Sequence, residues 1–193
     1  MTALQAEKRD MSVKAKALRR QGKVTGNIYG REMEKAIPIQ LTTSEVDRFF
    51  QANARGSQAI IDLGDQKIRV LVKGESYRPL AHSFENIDFQ ALVEGEAVMS
   101  TTPVILLNTD KVVGYLTHSL SEIQYKAVPS ALVDKVEIDV AGMKAEKSFF
   151  VSDLDMAKNK DIELITPADS LIFHITEHQK GVMEEDEEEA EEA

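Results

Sequence analysis

Five basic side chains, Lys14, Lys16, Arg19, Arg20 and Lys23, fall within ten residues of a 193-residue chain whose formal net charge is −10. Positive charge is concentrated there against the trend of the whole. The chemistry such a run can perform is anion binding: guanidinium forks and ammonium groups satisfy phosphate oxygens. The aromatic and the glycines that follow, in Gly22-Lys23-Val24-Thr25-Gly26-Asn27-Ile28-Tyr29-Gly30, would let a nucleic-acid backbone or base come close. On charge alone the alternative is a solvated basic helix with Tyr29 as a half-buried core residue.

Catalytic chemistry finds no comparable set of residues. There is no phosphate-cradling Gly-x-x-x-x-Gly-Lys-Ser/Thr, no Gly-x-Ser-x-Gly elbow and no dinucleotide fingerprint. The four histidines, His82, His118, His174 and His178, form no ordered metal pattern. His174 and His178 would need helical spacing to share a metal, and Ile172-Phe173-His174-Ile175 reads as strand. The sequence therefore points to no metal, no cofactor, no small-molecule substrate and no enzyme activity.

The elements that must position the basic run are short. Ser12 to Gln21 suits a helix with Ser12 as its cap and Gly22 as its C′ stop, and Val24 to Tyr29 suits the strand after it. Thr2 to Arg9 alternates as a first strand, and Ala36 to Leu41 as another whose Pro38 argues for a sheet edge. Thr42 with Glu45 is a capping-box signal for a helix that buries Val46, Phe49 and Phe50. Ser57 to Leu63 and Lys67 to Tyr77 form a hairpin about Gly64-Asp65. Arg78 to Ser83 is a loop, and Glu85 to Gln90 a strand with Phe89 inward and Asp88 outward. Five or six strands and two helices in ninety residues imply a small closed or nearly closed barrel.

Ala6-Glu7-Lys8-Arg9, Ala17-Leu18-Arg19-Arg20-Gln21-Gly22-Lys23-Val24 and Gly26-Asn27-Ile28-Tyr29-Gly30 together resemble the bacterial large-subunit ribosomal protein family that binds 5S ribosomal RNA, in its long two-domain form called Ctc or general stress protein. Val70-Leu71-Val72-Lys73, Asn86-Ile87-Asp88-Phe89 and Val136-Glu137-Ile138-Asp139-Val140 extend the resemblance over nearly the whole chain. Thr25 stands where the family usually has proline, Asn86 where it usually has histidine, and Val113-Gly114 where it usually has Gly-Gly. The resemblance implies an N-terminal barrel that binds 5S rRNA within the large ribosomal subunit, beside neighbouring ribosomal proteins. By residue type, Arg9, Lys14, Lys16, Arg19, Arg20 and Lys23 would neutralise phosphates, while Tyr29, Asn86 and Asp88 would meet sugar and base edges. Tyr29, Asp88 and the arginines carry over from the family motif.

Charge divides the chain. Residues 1–90 hold fifteen Lys and Arg against eleven Asp and Glu, a net of +4, while residues 91–193 hold eight against twenty-two, a net of −14. A polyanion is attracted to the first part and repelled by the second. The division expected is a basic barrel domain at 1–93, an acidic β-rich domain at 94–180 and a disordered acidic tail at 181–193, in which eight of the last ten residues are acidic. Strands are expected at Val98 to Leu107, Glu122 to Val128, Lys135 to Val140, Ile162 to Ile165 and Leu171 to Glu177. Turns or short helical pieces are expected around His118 and Val151 to Leu154. No run approaches the ~20 apolar residues of a membrane span, there is no signal-peptide pattern, and cysteine is absent. The expected setting is thus the cytoplasm, on the ribosome. An acidic protein-interaction or chaperone-like role off the ribosome is the other class the composition allows.

Overall fold

The computed structural model describes residues 2–177; the acidic tail and His178 lie outside the described residues. The architecture is mainly β with two α-helices and a few 3-10 turns. Seven strands form one sheet in the order β1-β5-β6-β7-β3-β4-β2. They are β1 (Thr2–Gln5), β2 (Glu7–Lys8), β3 (Lys23–Tyr29), β4 (Ile37–Thr42), β5 (Gln58–Asp62), β6 (Lys67–Arg78) and β7 (Ser83–Ala91).

The first strand expected at Thr2 to Arg9 is in fact two. Leu4 pairs in parallel with Ile61 of β5, whereas Glu7 and Lys8 pair with Gln40 and Ile39 of β4, at the other end of the strand order. Ala6 is the switch, donating its N–H to Asp62 O before Arg9 donates to Pro38 O. One stretch of chain thus occupies both sheet edges and nearly closes the barrel, which leaves short edge strands, of four and two residues, at the two ends of the order. It also corrects the reading of Pro38 as an edge marker, because β4 lies between β3 and β2. The Pro38 carbonyl faces β2, so its nitrogen lacks a donor only on the side where the two-residue β2 ends.

Alternation fills the barrel: Val24, Ile28, Ile39, Leu41, Ile61, Val70, Val72, Ile87 and Phe89 are buried, and Val46 and Phe49 pack onto them from α2 (Thr43–Ala52). The expected capping box forms by half: Glu45 N–H donates to Thr42 Oγ1, while the Glu45 carboxylate accepts from the Thr42 hydroxyl, at 2.9 Å to Oε2, rather than from the Thr42 backbone N–H. Helix α1 (Ala15–Arg20) is shorter than expected. Lys14 holds the cap position without a side-chain bond; Ser12 lies two residues earlier, in a local turn where its amide donates to Asp10 Oδ1. Gly22, at φ +74°, ends the helix as expected.

Residues beyond 97 build two further sheets around a second core. One has the order β11-β8-β10-β13, from β8 (Val98–Leu107), β10 (Glu122–Ala127), β11 (Val136–Asp139) and β13 (Ile162–Leu164). The other has the order β12-β14-β9, from β9 (Tyr115–His118), β12 (Ser148–Phe150) and β14 (Leu171–Thr176). His118 therefore ends a strand rather than sitting in a turn, and β12 adds a strand the sequence did not announce. Tyr125 is fully buried here, its hydroxyl donating to Val133 O and accepting from Val133 N–H.

Direct contacts join the two cores. Lys73 Nζ donates to Met99 O at 2.8 Å, and Gln58 Nε2 donates to Pro129 O at 3.0 Å. Gly56 adopts φ +86°, and a Cβ there would lie 1.7 Å from Thr101 O, so no other residue fits without moving one core from the other.

Candidate nucleic-acid interface

Strand β3 runs parallel to β7, with Thr25 opposite Asn86, Asn27 opposite Asp88 and Tyr29 opposite Gln90. Since Val24, Ile28, Ile87 and Phe89 point inward, these six residues lie on the outward side of the two strands, where Thr25 is itself buried and the other five are partly or well exposed. The rows continue across β4: Gln40 lies opposite both Thr25 and Glu7, while Pro38 lies opposite Asn27 and accepts from Arg9. Arg9 thus belongs to the same face as Asn27 and Asp88, although α1 separates it in sequence from the first and four strands, β3 to β6, from the second.

Asp88 is held by two amides, Asn86 Nδ2 donating to its Oδ1 at 3.0 Å and Asn27 Nδ2 at 3.4 Å. Its second oxygen has no hydrogen bond among the described residues. Thr25 Oγ1 lies within donating reach of Glu85 O (3.0 Å) and Asn86 Oδ1 (3.2 Å), so Asn86 is oriented from one side and orients Asp88 on the other. Tyr29 is 38% exposed, and burial of its ring edge together with the Asp88 charge raises its hydroxyl pKa above the ordinary tyrosine value. The phenol therefore stays a proton donor across the neutral range.

Helix α1 packs on β3, anchored by the buried Leu18. A six-residue helix without a side-chain cap is marginal by itself, so burial of one leucine, about 1.5–3 kcal/mol, is what keeps its cations in place. Lys14, Lys16 and Arg20 are exposed and make no ion pair among the described residues. Arg19 and Arg20 differ: Arg19 Nη1 lies 3.8 Å from Glu85 Oε1, while Arg20 points to no carboxylate. Lys23 is drawn away from the helix by Glu7 at 2.8 Å, and the same Glu7 oxygen accepts from Gln40 Nε2. The lysine contact first, and then the Gln40 bond, lowers the Glu7 pKa.

Between α1, the start of α2 and the β6–β7 hairpin lies a cleft of about 470 Å3 lined by Lys16, Arg19, Arg20, Lys23, Arg78, Thr43, Ser83, Phe84 and Glu85. Arg78 donates to Glu85 from the adjacent strand. Arg78, Thr25 and Asn27 were not among the sequence candidates. Thr25 and Asn27 share the two-residue period of Tyr29 and could have been found from it. Arg78 could not, because the β6–β7 register shifts between Val72 and Gly74 and again between Ser76 and Tyr77. His174 Nδ1 lies 2.9 Å from Ser148 Oγ within the second core region. Among the described residues no group of three His, Cys, Asp or Glu is placed to hold a metal ion.

Comparison with known proteins assigns both parts to ribosomal-protein families. The Ribosomal L25p family matches residues 4–89, and the family described as Ribosomal protein TL5, C-terminal domain, matches residues 98–179. A protein named large ribosomal subunit protein bL25 from Alkalilimnicola ehrlichii is 30% identical over 91% of this chain and 85% of its own length. Proteins of the same name from Finegoldia magna and Dictyoglomus thermophilum are each 28% identical over 96% of this chain, covering 90% and 93% of their own lengths. The chain belongs to the bL25 family of large-subunit ribosomal proteins. That family is one of ribosomal structural proteins, not of enzymes.

Proposed function

We propose that the chain is a structural constituent of the large ribosomal subunit, in the cytoplasm, and binds 5S rRNA through the outer face of β7-β3-β4-β2 and the adjoining α1. The observation that supports this reading is an ordered polar stripe on β3 and β7 beside a helix, packed on β3, whose Lys14, Lys16 and Arg20 make no ion pair among the described residues. Lys14, Lys16 and Arg20 neutralise phosphates, Arg19 and Lys23 do so on release from their carboxylates, and Arg9 extends the positive edge. Tyr29, Asn86 and Asp88 supply hydrogen bonds to sugar and base edges. A carboxylate held by two amides is pre-set to accept from a base amino group or a ribose hydroxyl. The family resemblance implies an irregular internal loop with a widened minor groove as the RNA surface, which side chains can reach although they cannot enter the deep groove of a regular A-form duplex.

The division of labour follows charge. Residues 1–93 form the RNA-binding unit, and residues 94–180 form an acidic unit whose charge disfavours RNA. Residues 181–193 add an acidic tail. A gel shift with 5S rRNA and with a plain RNA duplex of equal length tests the reading: the protein should prefer 5S rRNA, and equal affinity for both would overturn it.

A further inference from the structure

The basic cleft beside α1 holds the carboxylate from which Arg19 must be released, and a second cation holds it as well. Glu85 is the single carboxylate among five cations, Lys16, Arg19, Arg20, Lys23 and Arg78. One of its oxygens, Oε1, receives the Arg78 guanidinium and faces Arg19 Nη1 at 3.8 Å. We propose that the space between Arg19 and Arg78 is a binding site for an RNA phosphate and that Glu85 fills it in the unbound protein, as an internal stand-in that the phosphate must displace. The inference rests on the RNA-binding reading above and deepens it.

Several observations converge. A carboxylate and a phosphodiester each carry one negative charge and offer two oxygens to a guanidinium, so exchange of one for the other leaves the charge of the cleft unchanged. The Glu85 side chain is 28% exposed and Arg78 59%, so water reaches the pair and the contact is weak enough to exchange. The backbone beneath it is firm: Phe84 stacks on Phe50 with ring centroids 4.4 Å apart and leans on Tyr77 at 5.0 Å. Exchange is therefore a rotation of one side chain, not a movement of the hairpin. Thr43 is no rival for the phosphate, since its hydroxyl is committed to Gly22 O at 2.8 Å. Glu85 in this place lowers affinity for every polyanion, so that weak charge-only encounters fall below the working range and only RNA that also engages the Tyr29–Asp88 stripe is retained.

The test measures affinity of the full-length protein for a plain RNA duplex and for 5S rRNA, with Glu85→Gln beside Glu137→Gln, which removes the same charge from β11 in the second core. Glu85→Gln should raise duplex affinity about fivefold at low salt, the upper end for release of an exposed ion pair. It should also steepen the log–log salt slope by up to about one unit, because a displaced carboxylate no longer recaptures a cation. Glu137→Gln should change affinity less than about twofold. Made on an Arg78→Ala background, Glu85→Gln should do no more than the control. A gain from Glu85→Gln no larger than from Glu137→Gln, a gain that survives Arg78→Ala, or no binding of either RNA by any variant overturns the proposal. Failure of the wild type to prefer 5S rRNA sinks the wider reading instead, while the duplex comparison still decides the role of Glu85.

Discussion

The barrel of residues 2–91 and the two packed sheets of residues 98–176 are built by the same rule and dressed differently. Both alternate apolar and polar residues along short strands around a dry core; β10, with Ile123, Tyr125 and Ala127 inward, is as regular as β3. They diverge on the outside. The barrel sets Asn27, Asn86 and Asp88 in mutual hydrogen bonds beside cations, whereas residues 91–193 carry a net charge of −14. The difference shows that core architecture decides whether a surface exists and the outward half of each strand decides what it binds.

The strongest way to break this comparison is to separate the two parts. Residues 1–93 alone should retain 5S rRNA affinity within about threefold of full length or exceed it, and residues 94–193 should bind at least about a hundredfold more weakly, since phosphate contacts dominate affinity. Comparable binding by the acidic part would reverse the assignment. Next in size is Gly56→Ala, which combines a positive φ with a Cβ 1.7 Å from Thr101 O. It should cost about 3 kcal/mol in thermal or denaturant unfolding. It should also split unfolding toward two transitions, because it forces one core from the other while leaving each intact.

What could be read beforehand was local. The Thr42 helix cap, the Gly22 stop and the Gly64 hairpin each depend on neighbours within a few residues and were legible, as was a mainly β architecture with a nearly closed barrel. The break at Ala6 was not legible, because Leu4 and Glu7 answer to strands far apart in sequence, Ile61 and Gln40. Ser12 is not the cap because the helix begins only at Ala15, two residues past the turn in which Ser12 donates to Asp10. Strands β9 and β12 are three or four residues long and owe their state to β14, a partner their own sequences do not announce. At the candidate interface the basic residue types stood out, but which cations are already paired, Arg19 and Lys23, emerges only from the register that brings Glu85 and Glu7 beside them.

That distinction sharpens the comparison within α1. Arg20→Ala should weaken 5S rRNA binding and lower its salt slope by up to about one unit, and Arg19→Ala should weaken binding by less, because Arg19 must first leave Glu85. Lys16→Ala should reduce the salt slope by up to about one unit with little effect on preference for 5S rRNA over duplex. Equal losses from Arg19→Ala and Arg20→Ala would mean that the Glu85 contact does not distinguish them.

The smallest expected effect concerns Tyr29, the residue where the barrel's core and its outer face meet. Its hydroxyl pKa is raised first by burial of the ring and second by the Asp88 charge. The sign follows from which form is favoured: the folded protein prefers the neutral phenol. The resulting stabilisation is therefore complete below the ordinary tyrosine pKa and is lost as pH rises through the raised folded value. Ultraviolet difference titration of wild type against Tyr29→Phe should isolate one phenol ionising above the ordinary range. Asp88→Asn should bring that ionisation partway down, not fully, because burial is the larger cause and remains. A full return to the ordinary value would make Asp88 the dominant influence and Tyr29 a surface residue. No shift at all would detach the two side chains from each other and with them the proposed stripe. Between neutral pH and the onset of that titration, Tyr29 should contribute no pH dependence to RNA affinity, since the donor it presents does not change.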